Sequence, residues 1–218
     1  MIRILRNAAR VSEYPLGGLA VVLFVPLFVF RRLGPVDFWW WMSANIALLV
    51  VLGAAIDKNY LRSIAADVRS RPGRKILLGV LSAAALYGVF WIGNWASRVL
   101  FPFAGRGIGA AYDFKSGASL VRIVLLMAFW IGPGEELFWR AFLQRRWQAR
   151  LGGFRGFLAA AALYALVHAG SGNPMLVLAA AVCGLFWGAL YLRTRSLLLV
   201  AVSHTLWDLG VFIVFPFG

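Results

Sequence analysis

Residues 174–215 read PMLVLAAAVCGLFWGALYLRTRSLLLVAVSHTLWDLGVFIVF. Two apolar runs, 174–192 and 196–215, are divided only by Arg193, Thr194 and Arg195. Each is of the length, about 17–25 residues, that an α-helix needs to cross the hydrocarbon core of a bilayer. Working outward, five more candidates precede them, at about 15–30, 36–56, 76–97, 118–138 and 156–170. The chain is therefore expected to be all-α, a polytopic transmembrane helix bundle of about seven spans, with six to eight possible. The clearest polar connections lie at 56–75 and 101–116, and there is no internal repeat or low-complexity tract. We divide the chain into 1–117, holding spans 1–3 and their loops, and 118–218, holding spans 4–7. The first run follows Arg3, Arg6 and Arg10, as a signal peptide would. It contains Pro26 and runs straight into Arg31 and Arg32 without a small-residue cleavage site, so it reads as an uncleaved span.

Composition agrees. Hydrophobic residues make up 62% of the 218 and charged residues 14%, against about 45–50% and 25% in an ordinary soluble domain. A soluble domain of this size has too little polar surface to cover that much apolar area. The lone Cys183 excludes an intrachain disulfide. The net charge of +14 does not point to nucleic acid, because the basic residues sit in short segments between apolar runs, the pattern set by anionic lipid and translocation. With the N-terminus inside, fifteen basic residues face inward: Arg3, Arg6, Arg10, Lys58, Arg62, Arg69, Arg71, Arg74, Lys75, Arg145, Arg146, Arg150, Arg155, Arg193 and Arg195. Only Arg31, Arg32, Arg98, Arg106 and Lys115 face outward. This bias predicts a cytoplasmic (inner) membrane protein with its N-terminus inside.

Of eight acidic residues, Glu135, Glu136 and Asp208 fall within spans, as do both histidines, His168 and His204. A charge at the bilayer centre costs about 2.5–3.5 kcal/mol on insertion scales, so such groups face a bundle interior or water. Glu136 and Arg140 are four apart and share a helix face, as do Tyr164 and His168, and His204 and Asp208. Glu135 is rotated by about 100° from Glu136 and is not committed to that pair. Counted at 1.5 Å per residue from Arg145, Arg155 and Arg195, the residues Glu135, His168 and His204 lie about 15, 20 and 14 Å from the inner face. One level suggests one water-accessible site, expected to open towards the inner side.

At these residues the chain resembles a known family. Glu135-Glu136-Leu-Phe-Trp-Arg140 is similar to the E-E-x-x-x-R signature of the CAAX protease and bacteriocin-processing (CPBP, or Abi) intramembrane proteases. Tyr164-Ala-Leu-Val-His168 resembles their aromatic-x-x-x-His motif, with Tyr where Phe is usual. Residues 184–208, GLFWGALYLRTRSLLLVAVSHTLWD, resemble the last motif block, which ends His-x-x-x-Asn or Asp. The likeness covers about 118–215. It implies peptide hydrolysis within the membrane, with Glu135 and His168 activating a water, His204 stabilising the oxyanion and Arg140 fixing Glu136. Asp208, often Asn in the family, would orient His204 or act protonated. The implied partner is a membrane-anchored or lipidated protein cut near its C-terminus, or a peptide such as a bacteriocin precursor. The oligomeric state stays open.

No cofactor is expected. The alternative is zinc on Glu135, His168 and His204, a donor set common to hydrolytic sites, although H-E-x-x-H is absent and the donors come from three spans. Two other classes compete. A proton-coupled transporter would use the same Glu/His chain as a relay, and would show paired broken helices where only one Gly/Pro break exists. A non-catalytic immunity or scaffold protein would keep the fold alone. Among the remaining features, Gly132-Pro133-Gly134 is expected to kink or interrupt the fourth span. Gly184 and Gly188 read as a close-packing face, and Trp39, Trp40 and Trp41 as interfacial belt residues. Tyr164 reads as bundle packing, and Arg122 as a partner for Asp113.

Overall fold

The computed structural model describes residues 13–217, so Arg3, Arg6 and Arg10 of the charge count lie outside the described residues. Helix α1, Glu13–Phe30, contains Pro26. A two-residue hairpin follows, β1 (Arg32–Leu33) against β2 (Val36–Asp37). Then come α2, Phe38–Ile56, α3, Tyr60–Arg69, α4, Pro72–Leu100, and α5, Ala104–Tyr112. Helix α6 runs over Leu120–Leu151. Helix α7 spans Gly153–Ser171, ending in a 3₁₀ turn. Helices α8, Pro174–Thr194, and α9, Leu197–Val214, complete the bundle.

The all-α expectation holds. Helices α2, α4, α7, α8 and α9 are long and apolar enough to cross a membrane, and α5 with α6, bent by 94°, makes a sixth. The apolar part of α1, Pro15–Phe30, is shorter. Among the described residues, five to six such helices stand where about seven spans were expected. The two polar connections hold short helices of their own, α3 and α5, both amphipathic by sequence.

Local chemistry sets the turns. The Asp37 carboxylate accepts from the Trp39 and Trp40 amides at 3.1 and 3.2 Å and starts α2. Asn173 caps α8 by accepting from the Met175 amide at 3.0 Å, with Pro174 at the first helical position, where a missing N–H is harmless. Helix α9 starts under a tertiary cap: Asp67 of α3 accepts from the Leu198 amide at 2.8 Å, while Lys75 holds the same carboxylate group at 2.6 Å. Asp37 also takes Arg122, so Arg122 pairs across 85 residues with α2's cap and not with Asp113, which is exposed.

Gly132-Pro133-Gly134 does not interrupt α6. The helix stays continuous and absorbs the proline by widening, with π-helical stretches at Met127–Ile131 and Leu137–Gln144 on either side. Such bulges accommodate a ring that would otherwise strike the preceding turn. The glycines serve packing: a Cβ on Gly132 would lie 2.5 Å from Thr205 Oγ1, and one on Gly134 2.5 Å from Ile46. Helices α9 and α2 thus reach the backbone of α6 beside Glu135. Gly184 and Gly188 bring α8 onto α7 as expected, with added Cβ atoms 3.1 Å from the Ala161 carbonyl and 2.8 Å from the Phe157 ring. Trp39 is no belt residue. It is buried, and its indole N–H donates to the Phe114 carbonyl at 2.9 Å, whereas Trp40 is half exposed.

The tightest backbone approach closes α6 against α7. A Cβ on Gly156 would fall 2.3 Å from the Gln148 nitrogen and 2.4 Å from the Trp147 carbonyl carbon, both rigid backbone. Gly156→Ala is expected to lower unfolding free energy by about 1–3 kcal/mol, as overpacking does. Gly73→Ala, whose Cβ meets open space, is expected not to lower it. Thermal unfolding of the purified protein in detergent compares the two.

Candidate active site

Glu135 and Glu136 sit midway along α6, between its two π-helical stretches. Adjacent residues on a helix point about 100° apart, and the two carboxylates meet different neighbours. Glu136 is fully buried, and its Oε1 accepts from Arg140 Nη1 at 2.8 Å, the expected i,i+4 pair. The same Oε1 lies 2.7 Å from His204 Nδ1 on α9. Arg140, itself 2% exposed, is flanked by the rings of Tyr164 at 4.8 Å and Trp187 at 5.6 Å.

Glu135 stands apart from the Arg140 pair. Its Oε2 accepts from the Tyr164 hydroxyl at 3.2 Å and lies 3.5 Å from His204 Nε2. Asp208, one turn along α9, brings Oδ2 within 3.3 Å of the same Nε2. Three carboxylates thus converge on one imidazole, and the Trp187 ring stacks on that imidazole at 3.8 Å. His168 ends α7. Its Nδ1 lies 2.7 Å from the Tyr164 carbonyl, and a carbonyl only accepts, so Nδ1 carries a hydrogen and, in the neutral ring, Nε2 is the acceptor. The Phe28 ring of α1 packs on it at 4.6 Å.

A cavity of about 290 Å³ touches Glu135, Tyr164, His168, His204 and Asp208 together. The remaining wall is mostly apolar and aromatic, from Phe28 of α1 and Trp39 of α2 to Phe90 of α4 and Phe212 of α9. Its direction reverses the expectation. The wall residues Asn94, Ser97, Ile108, Tyr112, Met175 and Phe217 belong to the end of the bundle that carries the 31–37 and 101–119 connections. At the other end, Phe138, Arg140, Phe142 and Tyr60 are all 2% exposed or less and fill the space under the site. The site therefore does not open towards the face bearing Arg145, Arg155 and Arg195. Equal depth along three helices locates a level; which side is plugged depends on side-chain volume.

The plug is tied to α6. Tyr60 donates its hydroxyl to the Leu137 carbonyl at 2.8 Å, a group in the π-helical stretch, and burial pushes that hydroxyl's pKa up, so it stays a neutral donor. Gln144, also buried, donates to the Gly188 carbonyl of α8 at 2.8 Å.

All six residues singled out by sequence, Glu135, Glu136, Arg140, His168, His204 and Asp208, lie at or directly beneath this cavity. Two more belong with them. Tyr164 is not mere packing, since its hydroxyl holds Glu135. Trp187 stacks on His204 from α8, and its only sequence signal was a place inside the last motif block. Phe28 and Trp39 carried none. For the zinc alternative, Glu135, His168 and His204 share the cavity, yet among the described residues no three His, Cys, Asp or Glu side chains are grouped as a metal site.

Residues 117–210 match the family model described as type II CAAX prenyl endopeptidase Rce1-like, a stretch from just before α6 into the last turns of α9. No curated protein and no solved structure matches the chain.

The Glu136 clamp generates a stability test. Glu136→Ala leaves the Arg140 guanidinium buried and unpaired, and is expected to lower unfolding free energy by about 3–5 kcal/mol. The double variant Glu136→Ala/Arg140→Ala is expected to lose less than the sum of the two single variants. Thermal unfolding in detergent of the unsubstituted protein and the three variants closes the cycle.

Proposed function

We propose that this integral membrane protein, whose residues 117–210 match the Rce1-like CAAX prenyl endopeptidase model, is an intramembrane endopeptidase that hydrolyses a peptide bond near the C-terminus of a membrane-anchored or lipidated protein or peptide. The observation that carries the reading is the position of Glu135: a buried carboxylate outside the Arg140 pair, held by Tyr164, in a largely apolar cavity that His168 also lines.

In the proposed reaction a water sits between Glu135 and His168. Glu135 takes one proton, while His168 Nε2 accepts a hydrogen bond from the other. The water oxygen bonds to the substrate carbonyl carbon, and the electron pair of the C=O moves onto oxygen. His204 donates to that oxyanion; one such donor is worth about 2.7–4 kcal/mol. The C–N bond then breaks, and the proton held by Glu135 passes to the departing amine. Glu136, Arg140 and Asp208 are positioning residues, fixing the His204 ring from both sides. Trp187 holds its plane. No step is routed through a metal.

Cleavage of membrane-anchored peptides, prenylated and unprenylated, by the purified protein in nanodiscs tests this. Glu135→Gln and His168→Ala are expected to lower kcat by about 10²-fold or more, as loss of an acid–base group does. Tyr164→Phe is expected to lower it by about tenfold, the scale of one hydrogen bond to a charged acceptor. A strong chelator is expected to change nothing. Loss with chelator and recovery with zinc would replace the mechanism, and cleavage surviving in Glu135→Gln would sink the site.

A further inference from the structure

Two independent asymmetries run along this bundle, and they have opposite signs. One is steric. The cavity occupies the half of the bundle towards the 31–37 and 101–119 connections, while buried Tyr60, Phe138, Arg140 and Phe142 fill the other end. The second is electrostatic. At the filled end, Lys58, Arg62, Arg69, Arg71 and Arg74 are all exposed, as are Arg150, Arg155 and Arg193. Of the acids at that end, Asp57 is taken by Arg145 and Arg146, and Asp67 by Lys75. At the cavity end the basic residues are fewer, and Arg122 is neutralised by Asp37.

Basic connections are retained on the cytoplasmic side and contact its anionic lipid. We infer that the filled end is cytoplasmic and that the active-site cavity opens on the non-cytoplasmic side of the membrane. The described residues carry this bias without the N-terminal arginines.

The shape of the opening names the class of substrate. Among the cavity's wall residues, Val89 and Gly93 of α4 and Leu178 of α8 are exposed on the flank of the bundle. Helix α5 covers the cavity above them with Ile108, Ala111 and Tyr112, and is pinned to α8 by Asn173, which donates to the Gly107 carbonyl at 2.7 Å. A wall open between two apolar helices and roofed at the water end takes its ligand from the bilayer. The occupant is an apolar polypeptide segment, anchored in the membrane and displayed in the non-cytoplasmic leaflet. This clause on substrate rests on the endopeptidase reading above; the sidedness does not.

Cells expressing the full chain with Cys183→Ser and one new cysteine provide the test. Gly109 of α5 and Gly73 at the start of α4 both have open space where a side chain would go, and they mark the cavity end and the filled end. With a membrane-impermeant maleimide, Gly109→Cys is expected to label in intact cells as fully as after permeabilisation. Gly73→Cys is expected to label about tenfold less until the cells are permeabilised, as one fixed orientation requires. Labelling of Gly73→Cys in intact cells, or its failure at Gly109→Cys, overturns the inference whatever the protein cleaves.

The substrate clause is read separately. A peptide already shown to be cut by the purified protein is fused to the outer or the inner end of a single-span anchor. Processing of the outer copy alone is expected, and must vanish in Glu135→Gln. Processing of the inner copy, or of both equally, overturns it.

Discussion

One oxygen atom organises the part of this protein that holds the candidate site. Oε1 of Glu136 receives Arg140 Nη1 from its own helix and faces His204 Nδ1 across the bundle, at 2.8 and 2.7 Å. Burying a carboxylate and a guanidinium costs several kcal/mol for each ion, recovered only if the geometry is good and further hydrogen bonds are made. Here both are 2% exposed or less, so the arrangement tolerates little displacement. That rigidity fixes the rotation of α6 against α9, and with it the direction in which Glu135, one residue earlier, must point. Gly132 and Gly134 make the fixed rotation sterically possible by letting Thr205 and Ile46 close on the backbone.

What was legible in the sequence follows from range. Apolar run length revealed the helices, because a bilayer imposes it on every span. Pairs four residues apart, Glu136–Arg140 and His204–Asp208, were readable because one helix carries both members. Arg122 was misassigned because its partner Asp37 is 85 residues away, and sequence proximity favoured Asp113. Trp39 was misread for a similar reason: its N–H finds the Phe114 carbonyl 75 residues on, and nothing local distinguishes it from exposed Trp40. Tyr164 was undervalued because its ring faces Arg140 while its hydroxyl reaches Glu135 on another helix, two contacts that no spacing rule combines.

The first three spans showed no family feature by sequence, and the matched segment begins only at residue 117. They nevertheless supply much of the cavity wall, with Phe28 on the His168 ring and Phe90 against Trp207. Chemistry and containment are thus divided along the chain. The matched segment holds every ionisable group of the site, whereas α1, α2 and α4 set what shape of apolar chain can lie against it. A wall of Phe, Trp and Met side chains leaves no polar code, which is why it went unread.

The two π-helical stretches of α6 bear on how this helix has to be mapped. Each inserts extra backbone into a turn, so the face of the helix advances more slowly there than the usual 100° per residue. A wheel drawn through Leu120–Leu151 at constant pitch loses phase twice, once before Glu135 and once after Glu136. Lipid-facing and protein-facing positions beyond Gln144 are consequently out of step with those before Met127. The short α-helical turn carrying Gly132–Glu136 is thereby rotationally decoupled from both ends. One residue inserted or deleted in a stretch that is already widened could be taken up by a change of pitch, leaving the two glutamates facing as they do. The same change inside Gly132–Glu136 has no such slack to draw on.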